Sequence, residues 1–414
     1  MRSAYKRLGD YIKEVNTRNL DLATTNLLGV NIDKFFMPSV ANVIGTDMSV
    51  YKIVKKGQFA CNRMHVGRDY RLPIALSCDE EDFLVSPAYD VFEIRDNEEL
   101  LPEYLMMWFS RKEFDRNAWF YTDADVRGGL HWKAFCDMEL PVPNIETQRE
   151  VVREYHTIVN RIKLNEQLNQ KLEQTAQALY KQWFVDFEFP NENGKPYKSN
   201  GGEMVWCEAL KQEIPKGWET CSIKDFCKEM KSGGTPNREV EEYWNCKDIP
   251  WLKTGELSNK VLVEAEEYIS NKGCQNSSAK KLPINTVLIA MYGEGSTKGQ
   301  VGFLKFEAAT NQACCAMICD NENMSTYLYY FLRINRDEIA NMANGGAQPN
   351  LSKAIIENLQ IIKPVHNLFE KHPFVRIINY RESLSLECVH LQKLKFLLNS
   401  KMSKPELLET EQPA

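Results

Sequence analysis

The side chains best suited to catalysis in this chain are few, and their spacing does not assemble a reaction centre. Asp225, Glu229 and Lys231 offer the two carboxylates and ammonium of a metal-dependent nuclease. A second copy of the same stretch undoes that reading, because its matching residues are Asp10, Glu14 and Asn16, without the lysine. The glycine-rich GEGSTKG at 293–299 misses the spacing of both a P-loop and a dinucleotide fingerprint. The Asn-Pro-Pro-aromatic tetrapeptide of an adenine methyltransferase does not occur. Six histidines show no zinc spacing. Twelve cysteines include no CxxC pair. The tightest group, Cys314, Cys315 and Cys319, lies in an apolar run that reads as a buried strand, with metal binding the weaker alternative. No catalytic residue, metal ligand or cofactor is assigned.

The elements that could position a site are clearer. A chain of 414 residues exceeds one typical core and predicts two or three domains. The start of the sequence, MRSAYKRLGDYIKEV, lacks the apolar run of a signal peptide, and no run of ~18 apolar residues predicts a membrane span. Free thiols in this number fit a reducing compartment, so a cytoplasmic location is expected. The net charge of −6 argues against a phosphate-binding surface on average, but separate faces can differ in sign.

The strongest internal signal is a repeat. LGDYIKEV at 8–15 and IKDFCKEM at 223–230 place Asp, an aromatic and Lys-Glu at identical offsets. Asp-Asn-Glu at 96 and at 320 each precede a helix with a Tyr-Leu pair, Tyr104-Leu105 and Tyr327-Leu328. Gly128-Gly129 and Gly345-Gly346 follow, each before a lysine and an apolar strand ending MELPVP at 138–143 or LQIIKP at 359–364. Each unit thus reads as a mixed α/β globule followed by a long helix. Strands are expected near 58–61, 89–94, 286–291, 300–306 and 313–319.

The first long helix is expected from about Glu146 to Phe184, opened by a capping box at Thr147–Glu150. Its heptad seam runs through Val151, Tyr155, Ile158, Ile162, Leu172, Ala176, Leu179 and Trp183, with Asn165 and Asn169 between. At 1.5 Å per residue it spans roughly 55–60 Å. The second, near 374–400, has a matching seam of Ile377, Leu384, Cys388, Leu391 and Leu398, with Arg381 and Lys395 between. Two such stripes are best buried against each other, which makes the pair a spacer of fixed length. The polar stretch 191–217 reads as a connector, and 404–414 as a disordered acidic tail.

ALYKQWFVDFEFP at 178–190, IPKGWE at 214–219 and ELPVPNIETQREVV at 139–152 resemble the central region of type I restriction–modification specificity subunits. SGGTPN at 232–237, YWNCKDIPWLKTGEL at 243–257, TKGQVG at 297–302, TNQACC at 310–315 and GGAQPNLS at 345–352 are similar to that family's target-recognition domains. The resemblance covers nearly the whole chain but is weak in the first globule, where the SGGTP and NQ patterns are missing. It implies an α+β protein with two similar mixed α/β target-recognition domains, at 1–144 and 218–365. A pair of long antiparallel coiled-coil helices, at 145–190 and 366–403, would separate them in a pseudo-twofold arrangement. It also implies a non-catalytic subunit that reads a bipartite site on double-stranded DNA, with methyltransferase and restriction/translocase subunits as partners.

Phosphate contacts position such a reader, and base-edge contacts specify the sequence. In the first globule Lys52, Lys55, Lys56, Arg63, His65, Arg68 and Arg71 form a basic cluster, and Arg127 precedes the glycine pair. In the second, Lys231, Thr235, Arg238, Lys253 and Lys298 lie in or beside glycine-rich turns. Gln300, Gln312 and Gln348 could pair with adenine edges. Two other readings stay open: a DNA-acting enzyme without recognisable motifs, and a coiled-coil scaffold that never touches DNA.

Overall fold

Each half of the sequence repeat closes on itself through the same pair of hydrogen bonds. In the first half Leu8 N donates to Met138 O at 2.8 Å, and Tyr104 OH donates to Pro141 O at 3.4 Å. In the second, Ile223 N donates to Leu359 O at 2.8 Å, and Tyr327 OH to Ile362 O at 2.7 Å. These bonds tie the LGDYIKEV/IKDFCKEM turn and the Tyr-Leu helix to the strand that precedes each long helix. In both halves that strand pairs antiparallel with the chain just before the turn, Tyr5–Arg7 with Glu139–Pro141 and Glu219–Ser222 with Gln360–Lys363.

The computed structural model describes residues 5–39, 45–64, 66–122, 128–293, 297–343 and 350–402. His65, Arg127, Gln348, the Gly345-Gly346 pair and the acidic tail lie outside the described residues. The chain divides into two compact units, Met1–Arg161 with His390–Ala414, and Ile162–Val389. Both unit boundaries fall inside long helices, so each unit comprises a globule and a section of both helices.

The first unit is built on a four-stranded antiparallel sheet of Ile12–Val15, Asp90–Ile94, Phe59–Cys61 and Ile74–Leu76. Helix Pro102–Phe109 covers it with an aromatic core, in which Phe59 and Phe92 stack at 4.9 Å and Phe109 meets Phe59 edge-on at 5.8 Å. Val151 of the first long helix and Met402 at the far end of the chain complete this core.

The second unit carries a five-stranded sheet in the order Glu229–Ser232, Cys314–Ile318, Val287–Ala290, Val301–Leu304, Lys260–Leu262. Its last pair is parallel and the others antiparallel. A three-stranded sheet of Glu267–Ile269, Ile249–Leu252 and Ala309–Thr310 is made of strands that interleave with these in sequence. Cys314 and Cys315 are buried strand residues, and no metal-holding cluster occurs among the described residues.

The first long helix spans Ile145–Tyr180 and ends in a π turn, Lys181–Val185. Asn144 caps it, its Oδ1 accepting from Thr147 N at 2.8 Å, so the expected capping box at Thr147 is displaced by a stronger cap three residues earlier. The second long helix is Phe374–Lys401. Within the second unit the two run antiparallel: Asn169 bonds Ser385, Glu173 bonds Arg381, and Cys388 Sγ reaches Ile162 O. Leu384 is buried, whereas Ile158, Ile162, Leu172, Leu179, Leu391 and Leu398 are half-buried. Toward the end of the first helix the buried line moves to Glu173, Ala176 and Tyr180. The cause is that 3.6 residues per turn outrun a 3.5-residue repeat by ~20° per heptad.

The 191–217 stretch is more than a polar connector. It folds an antiparallel hairpin, Met204–Cys207 with Gln212–Pro215, and Phe189 stacks on Trp218 at 5.0 Å. No helix among the described residues is long and apolar enough to cross a membrane.

Candidate nucleic-acid interface

In the second unit the distant motifs meet at one place. Strand Glu229–Ser232 delivers Ser232 opposite Cys315, which brings SGGTP onto the TNQ turn. A Cβ on Gly233 would lie 2.1 Å from Asn311 O, and one on Gly234 would lie 2.2 Å from Ser278 Oγ. Only glycine fits this close backbone approach. Gly234 N donates to Thr310 O at 2.8 Å, and its carbonyl accepts from Trp251 Nε1 at 2.9 Å. The loop is therefore clamped between the two motifs that flank it.

That clamp exposes Thr235 and Gln312 side by side, with Thr235 Oγ1 donating to Gln312 Oε1 at 2.6 Å. The bond orients the amide, and its oxygen keeps a second lone pair. An oriented glutamine at the surface has the donor and acceptor needed for an adenine edge. Gln300 is differently placed: its Oε1 accepts from Ser258 N at 3.1 Å and holds a left-handed turn. Lys298 is half-buried at the adjacent turn.

Next to the clamp, the Arg238 guanidinium lies 3.6 Å over the Trp244 ring and pairs with Glu267. Lys253 also reaches Glu267, at 2.8 Å, and Glu266 at 3.4 Å. Burial works to raise the Glu267 carboxyl, but hydrogen bonds from Arg238 and Lys253 outweigh it and hold the group below its usual range. Burial raises Glu256, whose oxygens accept from Lys253 N and Glu266 N. Lys231 pairs with Glu229 at 2.9 Å, while Asp225 is taken up by Ser222, so the nuclease-like trio is not gathered.

In the first unit the basic run splits into exposed and structural residues. Lys52 is only 6 % exposed and donates to Tyr89 O at 2.7 Å, so it presents no charge to a surface partner. Arg63 is held by Asp90 at 2.6 Å and by the carbonyl of Leu130. It serves to fasten the glycine segment, where Gly67 N donates to Gly128 O at 2.7 Å and a Cβ on Gly67 would meet Gly128 Cα. Lys55, Arg68 and Arg71 reach the surface, facing Asp82, Asp69 and Asp33.

The sequence reading missed an aromatic surface beside these arginines. Tyr70, Trp119, Phe120 and Tyr121 are all exposed, Phe120 at 78 %, and Tyr70 packs on Trp119 at 5.3 Å between ring centres. Helix Lys112–Phe120 buries Phe114 and Ala118, an i, i+4 pair, so its last two residues must face outward. Three consecutive aromatics at a helix end was the available signal. Asp115 anchors the helix, accepting from Leu72 N at 3.1 Å and from Lys34 Nζ at 2.7 Å. Burial pushes the Lys34 ammonium down to about 8 against the opposing pull of Asp115.

Each globule thus has the same internal frame and bears exposed polar and basic loops. Residues 215–370 match the family model of the type I restriction modification DNA specificity domain. The chain is 25 % identical over 463 residues to the type I restriction enzyme HindI specificity subunit of Haemophilus influenzae, covering 97 % of this chain and 98 % of that one. It is 26 % identical to the MjaIX specificity subunit of Methanocaldococcus jannaschii, over 74 % of this chain and 69 % of that one. The fold is similar to the crystal structure of the type I restriction-modification system S subunit from M. genitalium, with a TM-score of 0.57 at 11 % identity over 99 % and 96 % of the two chains. Residues 215–370 thus match the type I specificity domain, and over nearly its whole length the chain is similar to type I specificity subunits.

Proposed function

We propose that this chain reads DNA sequence for a type I restriction–modification complex and performs no chemistry itself. Each globule reads one half of a bipartite site on double-stranded DNA. The two long helices set the unread spacer between half-sites. Methyltransferase and restriction/translocase subunits dock on this frame and supply modification and cleavage. The observation that carries the reading is the duplicated globule with its common hydrogen-bond frame, each copy followed by a long helix. Joining two readers raises the local concentration of the second once the first has bound, provided the span fits. The residues proposed to touch DNA are Thr235, Gln312, Arg238 and Lys253 in the second globule, and Lys55, Arg68 and Arg71 in the first.

Mapping methylated adenines genome-wide in cells carrying the chain with its methyltransferase partner tests this. The expected result is one motif of two short half-sites separated by a fixed gap. A contiguous motif, or none, would overturn the reading.

One observation favours a different reading, a scaffold that does not contact DNA: the surface cations named above are paired with carboxylates. Gel shifts at several salt concentrations separate the two. The DNA reader binds with a salt-dependent affinity when the methyltransferase is present, and the scaffold does not bind at all.

A further inference from the structure

Three elements of the second unit meet at a buried ionic junction. Helix Glu322–Ile334 of the globule presents Tyr327, Tyr330 and Arg333, spaced i, i+3, i+6, along one face. Tyr327 packs on Tyr180 of the first long helix at 5.3 Å, and Tyr330 on Phe374 of the second at 4.9 Å. Beyond these rings Arg333 Nε donates to Glu173 Oε1 at 3.0 Å. The other Glu173 oxygen accepts from Arg381, which is only 3 % exposed. Arg381 Nε in turn donates to Asn169 Oδ1 at 2.8 Å, and Asn169 Nδ2 to Ser385 Oγ at 3.1 Å. One carboxylate therefore bridges the globule and both long helices.

An apolar seam accepts a slip of one heptad with little change in contacts. A buried charge does not, because any slip leaves it without its counter-charge. Among the described residues the first half of the repeat shows no counterpart to the bridge. Six residues after Tyr327 stands Arg333, whereas six after Tyr104 stands Ser110, whose hydroxyl donates to Met106 O in its own helix.

We infer that Glu173, Arg333 and Arg381 are positioning residues that fix the register of the two helices and the seat of the second globule on them. They thereby set how strictly the complex enforces one spacer length. This rests on the bipartite reading proposed above.

The test uses the full chain assembled with its methyltransferase partner and duplex DNAs bearing the wild type's mapped half-sites. The duplexes carry the native spacer, one base pair more, or one fewer. The wild type is expected to favour the native spacer by more than about 100-fold, and Glu173→Gln by about 10-fold or less, with the half-site bases unchanged. Arg381→Lys keeps the buried charge but loses the two-pronged grip, and stands in if Glu173→Gln does not fold; it is expected to relax the spacer likewise. Unchanged strictness in the folded variants, or an equal loss at all three spacers, would overturn the inference. A wild type without any bipartite motif would instead sink the underlying reading and would be seen before any variant is made.

Discussion

Arg238 illustrates what a cation at this surface is doing before any partner arrives. It stacks on Trp244 and pairs with Glu267, much as Arg68 pairs with Asp69 and Arg71 with Asp33. Exposed pairs of this kind contribute about 0–1 kcal/mol, so exchanging a carboxylate for a phosphate costs little. Lys52 and Arg63 are bound to buried carbonyls or carboxylates and have no such freedom. The exposed aromatics Trp119 and Phe120 add apolar side chains of the kind that can wedge against base steps at the groove of a duplex. Trp119→Ala with Phe120→Ala should weaken binding to duplex DNA about tenfold, measured by fluorescence anisotropy, while stability changes by no more than ~0.5 kcal/mol. Equal affinity would remove this surface from the DNA contact set. The cations were legible in the sequence, but their partners were not: Arg71 meets Asp33 and Arg238 meets Glu267 across gaps that no local pattern encodes.

At the scale of elements, spacing rules worked where a single period governs. Strands at Phe59–Cys61, Asp90–Ile94, Val287–Ala290, Val301–Leu304 and Cys314–Ile318 fall inside the β-rich runs bounded by turn residues. The SGGTP and TNQ motifs were visible as strings. That they clamp each other emerged only from the pairing of Ser232 with Cys315 and the bare Cα of Gly233. A strict heptad count failed late in the first long helix, where the burial of Glu173 depends on Arg333 and Arg381, which are distant in sequence. The loop ahead of the second long helix carries a pH response. His372 is 5 % exposed, with Nε2 against Asn323 O at 3.2 Å, and burial lowers its pKa from 6.5 to about 4. Between these values the unfolded chain binds a proton that the folded chain refuses. The stabilisation is therefore full above pH 6.5 and is lost as pH falls toward about 4, a change on the order of 3 kcal/mol. Denaturant titrations of the wild type and of His372→Phe over that range should differ in slope, the variant being flatter. Parallel curves would show that another group governs the acid limb.

For the molecule as a whole, with a net charge of −6, the number of surface cations sets a quantitative expectation. Five surface cations proposed for DNA would give a slope of about −4.5 in log affinity against log salt if each released its counterion to a phosphate. Because each already holds a carboxylate, which regains cations when displaced, the slope of the chain with its methyltransferase should change little when these residues are replaced singly. Titrations of Arg68→Ala and Lys253→Ala from 50 to 200 mM salt should each alter the slope by less than about 0.5. A change near 1 per residue would mean that the carboxylate partners do not compete. The duplication was the most legible property of the chain, since four landmarks recur in order. Its physical meaning lay in backbone bonds such as Tyr104 to Pro141 and Tyr327 to Ile362, which a string of letters does not display.

The first core cannot close until Met402 has been made. Its chain runs to Arg161, breaks off, and resumes at His390, whereas the second unit is one continuous segment. At 5–20 residues per second, the roughly 230 intervening residues take about 10–45 s to leave the ribosome. For that interval Val151 and Tyr155 have no Leu398 or Met402 to cover them. The second globule is free to fold as it is synthesised, and the first must wait as an open template for its closing helix. The order of birth is thus the reverse of the order of completion.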